Sequence, residues 1–259
     1  MSRKKLISFL VFLVFLLIAF NYNFLDKKLT GFVVDSETAV VQRIVDGDTL
    51  ELADGRHVRL LGINTPEKGE IYSSEAKNFT TEKLLNKTVR MEFGKDKIDL
   101  YNRTLAYVFV DDEFFNVQLV ENGLANFYFP SGKDSYYKQF KSSWEKCISE
   151  NKYLCEKSHD SACIKLKILN VAEQTATFEN ICSYSINLKN WDLKDEGRKH
   201  FVFPEFDVRP NQNFLVIVGN GRNNENEIFW DRKDYVWTKS GDTLFLRDEN
   251  NKLVSWFSY

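Results

Sequence analysis

The chain is poor in the residues that build soft-metal centres. Its only histidines are His57, His159 and His200, and no two of them are at ligand spacing. The four cysteines follow a C-x7-C-x7-C-x18-C pattern, which lacks the close C-x2-C pairs of a structural zinc site. A zinc centre is therefore not expected, and the histidines are predicted to be surface or core residues.

An excess of charge of either sign is also missing. The 259 residues carry 35 basic and 37 acidic side chains, and the sequence pI is about 6.0. This argues against a protein that coats nucleic acid electrostatically. A few well-placed cations would serve a turnover enzyme better than a stable binder, because an enzyme gains from releasing its product. We find no internal repeat and no low-complexity tract.

The one long apolar run lies at the N-terminus, where Arg3, Lys4 and Lys5 precede residues 6–20, interrupted only by Ser8. Extended to Leu25, the run reaches the ~20 residues that cross a bilayer. Residues 1–25 are expected to be an uncleaved signal anchor, with a cleaved signal peptide or a buried soluble helix as alternatives. The basic N-terminal side predicts a membrane-anchored, extracytoplasmic protein, or a secreted one after cleavage. Residues 26–38 are interpreted as a linker.

All four cysteines lie in the part of the chain that would be exported, where disulfides are permitted. Three pairings are possible. If residues 164–181 form a hairpin that turns near Ala172 and Glu173, Cys163 and Cys182 face each other. Cys147 would then bridge Cys155 across a helix end.

Residues 39–155 are predicted to form a five-stranded barrel with helices. The strand patterns cover residues 39–45, 49–52, 57–63, 87–93 and 103–110, and Asp54-Gly55 is typical of a hairpin turn. The helical patterns cover residues 72–86, 116–122 and 135–150. From residue 163 to residue 259 the pattern changes to short β-rich runs at 164–169, 175–181, 214–218 and 243–247, without a convincing helix. This spacing indicates a β-sandwich, with residues 156–162 as a linker.

Four short motifs stand in order along the first region. They are Asp46-Gly47-Asp48-Thr49, Val58-Arg59-Leu60-Leu61-Gly62, Asn64-Thr65-Pro66-Glu67 and Tyr101-Asn102-Arg103. This ordered set, over residues 39–155, resembles staphylococcal nuclease. The resemblance implies an OB-fold barrel and a nuclease that uses Ca²⁺, in agreement with the order of the predicted elements.

Hydrolysis of a phosphodiester requires an activated water molecule. It also requires positive charges that stabilise the negative charge developing on the phosphate in the transition state. Arg59 lies within an apolar strand, where a guanidinium is costly unless it serves an anion or a carboxylate partner. The resemblance implies that Arg59 and Arg103 clamp the scissile phosphate and that Glu67 is the general base.

The resemblance also implies the metal ligands. Asp48 would bind Ca²⁺ with the backbone carbonyl of Thr65, and Asp46 would lie nearby as a weaker candidate. Asn64 stands where the family has an aspartate, so a calcium ion would be held with one formal charge fewer.

Two tyrosines are candidates for contact with the nucleotide. Tyr101 would pack beside the catalytic pocket, and Tyr128 would do so from the segment after Gly123. Leu100 replaces a lysine of the family, so one contact to a terminal phosphate is missing.

Simpler interpretations exist for each motif taken alone. Asp-Gly-Asp is more often a turn than a metal site, and a buried arginine in a strand usually belongs to a structural ion pair. Thr-Pro-Glu frequently starts a helix, with the glutamate favouring its N-terminus. Their occurrence together and in order favours the nuclease interpretation.

Three features stand out in residues 163–259: residues 187–193, Pro210 and residues 240–248, in which Gly241-Asp242 is interpreted as a hairpin turn. On these features the region resembles a lamin-tail domain, which implies an immunoglobulin-like sandwich. These motifs are structural, and the ligand of the domain stays unknown.

The sequence thus predicts a calcium-dependent endonuclease that acts on DNA and/or RNA outside the membrane. The alternative is a catalytically weak or inactive protein that binds nucleic acid or envelope material.

Overall fold

The computed structural model describes residues 35–259 and, before them, residues 11–13, 16–17 and 19. The predicted anchor at residues 1–25 lies outside the described residues apart from those six positions, and so does the predicted linker up to residue 34. In the described part of the chain, no helix is both long and apolar enough to cross a membrane.

The first region is a closed five-stranded barrel, as predicted. Its strands are β1 (Ser36–Ile44), β2 (Thr49–Leu52), β3 (His57–Leu60), β5 (Thr88–Ile98) and β6 (Thr104–Val110), with the short strands β4 (Ile63–Asn64), β7 (Glu113–Phe114) and β8 (Asn126–Phe127) beside them. The order β3-β2-β1-β5-β6 closes through a parallel pairing of β3 with β6, in which Arg59 lies opposite Leu105. Strand β1 begins before residue 39, because Ser36 already pairs with Glu92 of β5. Residues 36–38 are therefore strand and not linker.

The three predicted helices of this region are present as α1 (Ser73–Leu84), α2 (Phe115–Glu121) and α3 (Tyr137–Glu150), followed by a 3₁₀ turn at Tyr153–Cys155. Helix α3 buries Phe140, Trp144 and Cys147. Phe140 packs against the turn between β3 and β4, where a Cβ on Gly62 would lie 2.8 Å from its ring. Gly62 also has φ +76°, a conformation that other residues rarely adopt. Glycine is therefore favoured here both by the lack of space for a Cβ and by the backbone conformation. This packing positions Asn64, which follows directly.

The second region is a sandwich of two four-stranded sheets, and it contains no helix from residue 163 to residue 259. One sheet consists of β9 (Ile164–Asn170), β10 (Thr175–Asn180), β15 (Asn213–Val218) and β16 (Glu227–Trp230); the other consists of β12 (Asp192–Lys194), β13 (His200–Val202), β17 (Thr243–Arg247) and β18 (Leu253–Ser258). Strands β11 (Ile186–Asn187) and β14 (Asp207–Val208) form a small separate pair. Between the sheets lies a core that includes Trp191, Phe214 and Trp237.

Both predicted disulfides are present. Cys163 and Cys182 are joined with their Cα atoms 5.0 Å apart, because the β9–β10 hairpin pairs Ile164 with Asn180. Cys147 at the end of α3 is joined to Cys155 in the 3₁₀ turn.

Residues 156–162, which were predicted to be a linker, begin with three residues that pair with the sandwich. The Leu253 N–H donates to the Glu156 carbonyl at 2.7 Å, and the Ser158 N–H donates to the Leu253 carbonyl at 2.9 Å. The segment thus pairs with the outer edge of β18, which would otherwise present unpaired backbone groups. The interpretation of Gly241-Asp242 as a hairpin turn is wrong, because β16 and β17, which the segment connects, belong to different sheets.

Candidate active site

The turn between β1 and β2 brings Asp48 into the barrel wall. Asp48 is 3% exposed, and its Oδ2 accepts the Thr65 N–H at 2.9 Å and the Thr65 hydroxyl at 3.0 Å. Gly47 permits this approach, since a Cβ there would lie 2.8 Å from both Thr65 and Ala76. The first and third motifs are therefore joined through one buried carboxylate.

Arg59 completes that junction from β3. Its Nε lies 3.1 Å from Asp48 Oδ1, its Nη1 donates to the Leu60 carbonyl, and its Nη2 donates to the Ile63 carbonyl and to Asn64 Oδ1. Burial lowers the pKa of Arg59, and the Asp48 carboxylate opposes this shift. The predicted carboxylate partner is thus present, and the guanidinium is held in one orientation.

Asn64 is shared between the two regions of the chain. Its Oδ1 accepts from Arg59, whereas its Nδ2 donates to the Glu196 carbonyl of the sandwich at 2.9 Å. These two bonds fix the amide so that its oxygen points toward the guanidinium. Asp46 lies next to this group, since its Oδ1 accepts the Asp48 N–H at 3.0 Å, and burial together with the Asp48 charge raises its pKa.

The oxygen donors in this group are of the type that a hard cation takes. They are the carboxylates of Asp46 and Asp48 and the amide oxygen of Asn64, with Thr65 adjoining. Within the described residues, no three histidine, cysteine, aspartate or glutamate side chains are grouped so that they could hold a metal ion. The residues fit Ca²⁺ in donor chemistry, but with less negative charge than a fully acidic site.

Arg103 follows a turn that Asp99 organises. Asp99 Oδ1 accepts the N–H groups of Tyr101 and Arg103 at 2.9 Å, and its Oδ2 accepts from Arg103 Nε at 2.7 Å. The Arg103 guanidinium lies 5.4 Å from the centre of the Tyr101 ring, which is 80% exposed. Arg103 is close enough to Arg59 for its charge to lower the pKa of Arg59 further.

Glu67 follows Thr65 by two positions in the chain. Its side chain is about half exposed, and its carboxylate forms an ion pair with Arg198, which belongs to the sandwich. Arg198 also acts on Arg59 electrostatically, as Arg103 does. Burial raises the pKa of Tyr128, and the positive charges of Arg59 and Arg198 act in the opposite direction. Tyr128 is therefore close to both arginines, and its contact with the nucleotide stays a prediction.

The structure brings most of the predicted site residues together. The following five are linked directly by hydrogen bonds or ion pairs: Asp46, Asp48, Arg59, Asn64 and Thr65. Arg103 and Glu67 flank them, while Tyr101 faces solvent. Sequence reasoning missed Asp99, which its position in the turn before Arg103 could have revealed, and Arg198, for which no local sequence signal exists.

Comparison with known proteins gives the same division of the chain. A model of staphylococcal nuclease homologues matches residues 57–154, and a model of the lamin tail domain matches residues 160–259. A thermonuclease of Staphylococcus intermedius is 42% identical over 112 residues, which make up 40% of this chain and 67% of that protein. A thermonuclease of Staphylococcus hyicus is 36% identical over 146 residues, or 50% of this chain and 86% of that protein.

A more distant relative is an uncharacterized endonuclease of Haemophilus influenzae, 34% identical over 110 residues, which are 40% of this chain and 60% of that protein. Taken with the closed barrel and the Asp48–Arg59–Asn64 group, these matches show that the chain belongs to the staphylococcal nuclease family, whose members hydrolyse phosphodiester bonds, and that a lamin tail domain follows its nuclease domain.

Proposed function

We propose that this chain is a calcium-dependent endonuclease that cleaves DNA and/or RNA. The observation that carries the proposal is the Arg59 guanidinium, which is buried, fixed by Asp48 and Asn64, and close to the positive charge of Arg103. A buried ion pair is weak evidence for stability, because the loss of hydration offsets the attraction. Arg103 adds a second positive charge that acts on Arg59, and an anion bound beside the two guanidiniums would offset this repulsion.

Each residue has a defined part in this proposal. Arg59 and Arg103 bind the oxygens of the scissile phosphate, since planar guanidiniums match phosphate geometry. Glu67 orients the attacking water and accepts its proton. Calcium, when bound, supplies further positive charge at the phosphate, and Asp48, the Asn64 amide oxygen and the Thr65 carbonyl would hold it, with Asp46 nearby.

The test uses the full chain purified in mild detergent, incubated with DNA and with RNA, in the presence of Ca²⁺ or of a chelator. Hydrolysis is expected with Ca²⁺ only. Glu67→Gln should lower kcat by about 10²- to 10⁴-fold, the usual contribution of a general base. Glu82→Gln on α1, where the side chain is 75% exposed, is the matched control and should retain full activity. Hydrolysis under chelator, or full activity of Glu67→Gln, contradicts the proposal.

The neutral Asn64 favours a second candidate, a protein that binds nucleic acid or envelope material without cleaving it. Asn64 provides an amide where a carboxylate would hold a cation more tightly. Saturable binding of single-stranded DNA without any hydrolysis in Ca²⁺ would support this second function over the first.

We place the protein on the extracytoplasmic side of a membrane, held there by residues 1–25. The basic residues before the apolar run support this orientation, and the two disulfides agree with an oxidising compartment. Protease added to intact cells should degrade residues 35–259. Full protection of this part, with degradation only after lysis, would contradict the placement.

A further inference from the structure

The sandwich reaches the nuclease site through one short loop. Residues 195–199 connect β12 to β13, and the loop is closed by the Asp195 N–H, which donates to the Lys199 carbonyl at 3.0 Å. The Lys199 N–H donates back to Asp195 Oδ1 at 3.0 Å. The loop is thus a tight hairpin tip with a defined conformation.

The loop is anchored to both domains by Glu196. Its Oε1 accepts the Phe129 N–H of the nuclease domain at 2.8 Å, and its Oε2 accepts the Thr243 hydroxyl of the sandwich at 3.2 Å. Its backbone carbonyl accepts from Asn64, within the candidate site itself. Glu196 is only 6% exposed. Arg198 therefore extends from a loop whose position relative to the site is fixed on several sides.

Arg198 pairs with Glu67, a site residue whose side chain is far more exposed than those of Arg59 and Asp48. Glu67 lies in the irregular segment between β4 and α1, and its side chain is about half exposed. In contrast, Arg59 and Asp48 are buried and held by several partners. An exposed carboxylate on an irregular segment samples several rotamers unless a partner selects one.

We propose that the nuclease site is composite and that Arg198 of the lamin tail domain is a positioning residue, which holds the Glu67 carboxylate where it can take the proton of the attacking water. This inference rests on the proposed function. The ion pair is too exposed for its loss to change stability much, since such pairs contribute about 0–1 kcal/mol. Its effect is expected on catalytic geometry, where a misplacement of about 1 Å costs up to about 10²-fold in rate.

The test measures kcat and KM of the full chain and its variants on DNA with Ca²⁺. Arg198→Ala should lower kcat by about 10- to 100-fold with KM changed less than about threefold. Arg198→Lys keeps the charge and should restore part of the lost kcat. Arg43→Ala is the matched control, because Arg43 has similar exposure and also forms an ion pair, with Glu51, but outside the site; its kinetics should not change.

A double-variant cycle separates positioning of Glu67 from other effects. In a Glu67→Gln background, Arg198→Ala should cause no further loss, because the two residues act as one unit. Additive losses, a change confined to KM, or unchanged kinetics of Arg198→Ala would overturn the inference while wild-type hydrolysis still upheld the nuclease function. An inactive wild type would instead overturn the proposed function, and the inference with it.

Discussion

At the residue scale, Asn64 connects the chemistry of the site to the packing of the two domains. Its amide oxygen lies against Arg59, and its amide nitrogen donates to Glu196 of the sandwich. An aspartate would provide the oxygen with more charge but could not provide the nitrogen. The neutral side chain thus contributes a contact between domains that an acidic ligand would lose.

We expect Asn64→Asp to tighten Ca²⁺ binding by about tenfold or more, because the charge of the ligands governs calcium affinity. The same change removes the donor to the buried Glu196 carbonyl, at a cost of about 1–3 kcal/mol in the free energy of unfolding. Calorimetric titration and denaturant unfolding measure the two effects.

Asn122→Asp is the matched control for this change. It adds the same charge to the nuclease domain and removes a similar amide bond, to the Gln118 carbonyl at 2.9 Å, outside the site. Its Ca²⁺ affinity should equal that of the wild type. If the Asn64→Asp variant bound Ca²⁺ with unchanged or weaker affinity, Asn64 would not be a ligand of the metal ion.

At the element scale, the β12–β13 hairpin tip carries carboxylates that are costly to ionise. Burial, with a contribution from the charge of the neighbouring Asp242, raises the pKa of Glu196 to about 7 and that of Asp195 to about 6. Asp242 itself has a raised pKa because of burial. In the folded protein these carboxyl groups therefore stay protonated at pH values at which they are already ionised in the unfolded chain.

The hairpin tip should make the protein less stable as pH rises. Glu196 has an unfolded value of 4.5, so its protonated form stabilises the fold fully below pH 4.5, and this contribution is lost as pH rises through about 7. Between pH 4.5 and 8, the titration of Glu196 should lower the free energy of unfolding by an amount on the order of 3 kcal/mol, and Glu196→Gln should remove this decrease.

Denaturant unfolding of the wild type and of Glu196→Gln at several pH values measures this difference. Glu205→Gln is the control, since Glu205 belongs to the same domain but its side chain is 70% exposed. Parallel stability curves for the wild type and Glu196→Gln would show that Glu196 is not the group responsible.

At the scale of the whole molecule, the two domains share one core. Phe245 and Leu253 of the sandwich are buried with the barrel residues, and Trp256 packs beside them. The Phe245 ring lies 5.5 Å from that of Trp144 and 6.2 Å from that of Phe127. Arg247, 2% exposed, donates to the Leu154 carbonyl across the boundary at 2.7 Å. Separate unfolding of either domain would expose these groups.

We therefore expect the protein to unfold in a single transition, with coincident tryptophan fluorescence and far-UV circular dichroism. Phe245→Ala should lower the free energy of unfolding by about 3–5 kcal/mol and move both signals together. Phe257→Ala on the exposed face of β18 is the control and should have little effect. Two separated transitions in the wild type would contradict a shared core.

Much of the nuclease domain could be predicted from its sequence, because its signals are local. Alternating apolar residues and the Asp54-Gly55 turn define β2 and β3, and close motifs place Asp48 just before β2, Arg59 on β3 and Asn64 on β4. The disulfides followed from a hairpin with a defined turn. Strand β16 was not predicted. It pairs in parallel with β15, and such strands are not joined by a short hairpin turn that could be recognised in the sequence.

The barrel, the order of the two domains and the buried half of the site follow from local sequence, since turn chemistry and strand periodicity act between near neighbours in the chain. The pairing of residues 156–158 with β18, the bond from Asn64 to Glu196 and the ion pair of Arg198 with Glu67 depend instead on the packing of the whole chain. These contacts join positions that are distant in sequence, and their geometry depends on how two complete domains pack. No local pattern of residues carries that information.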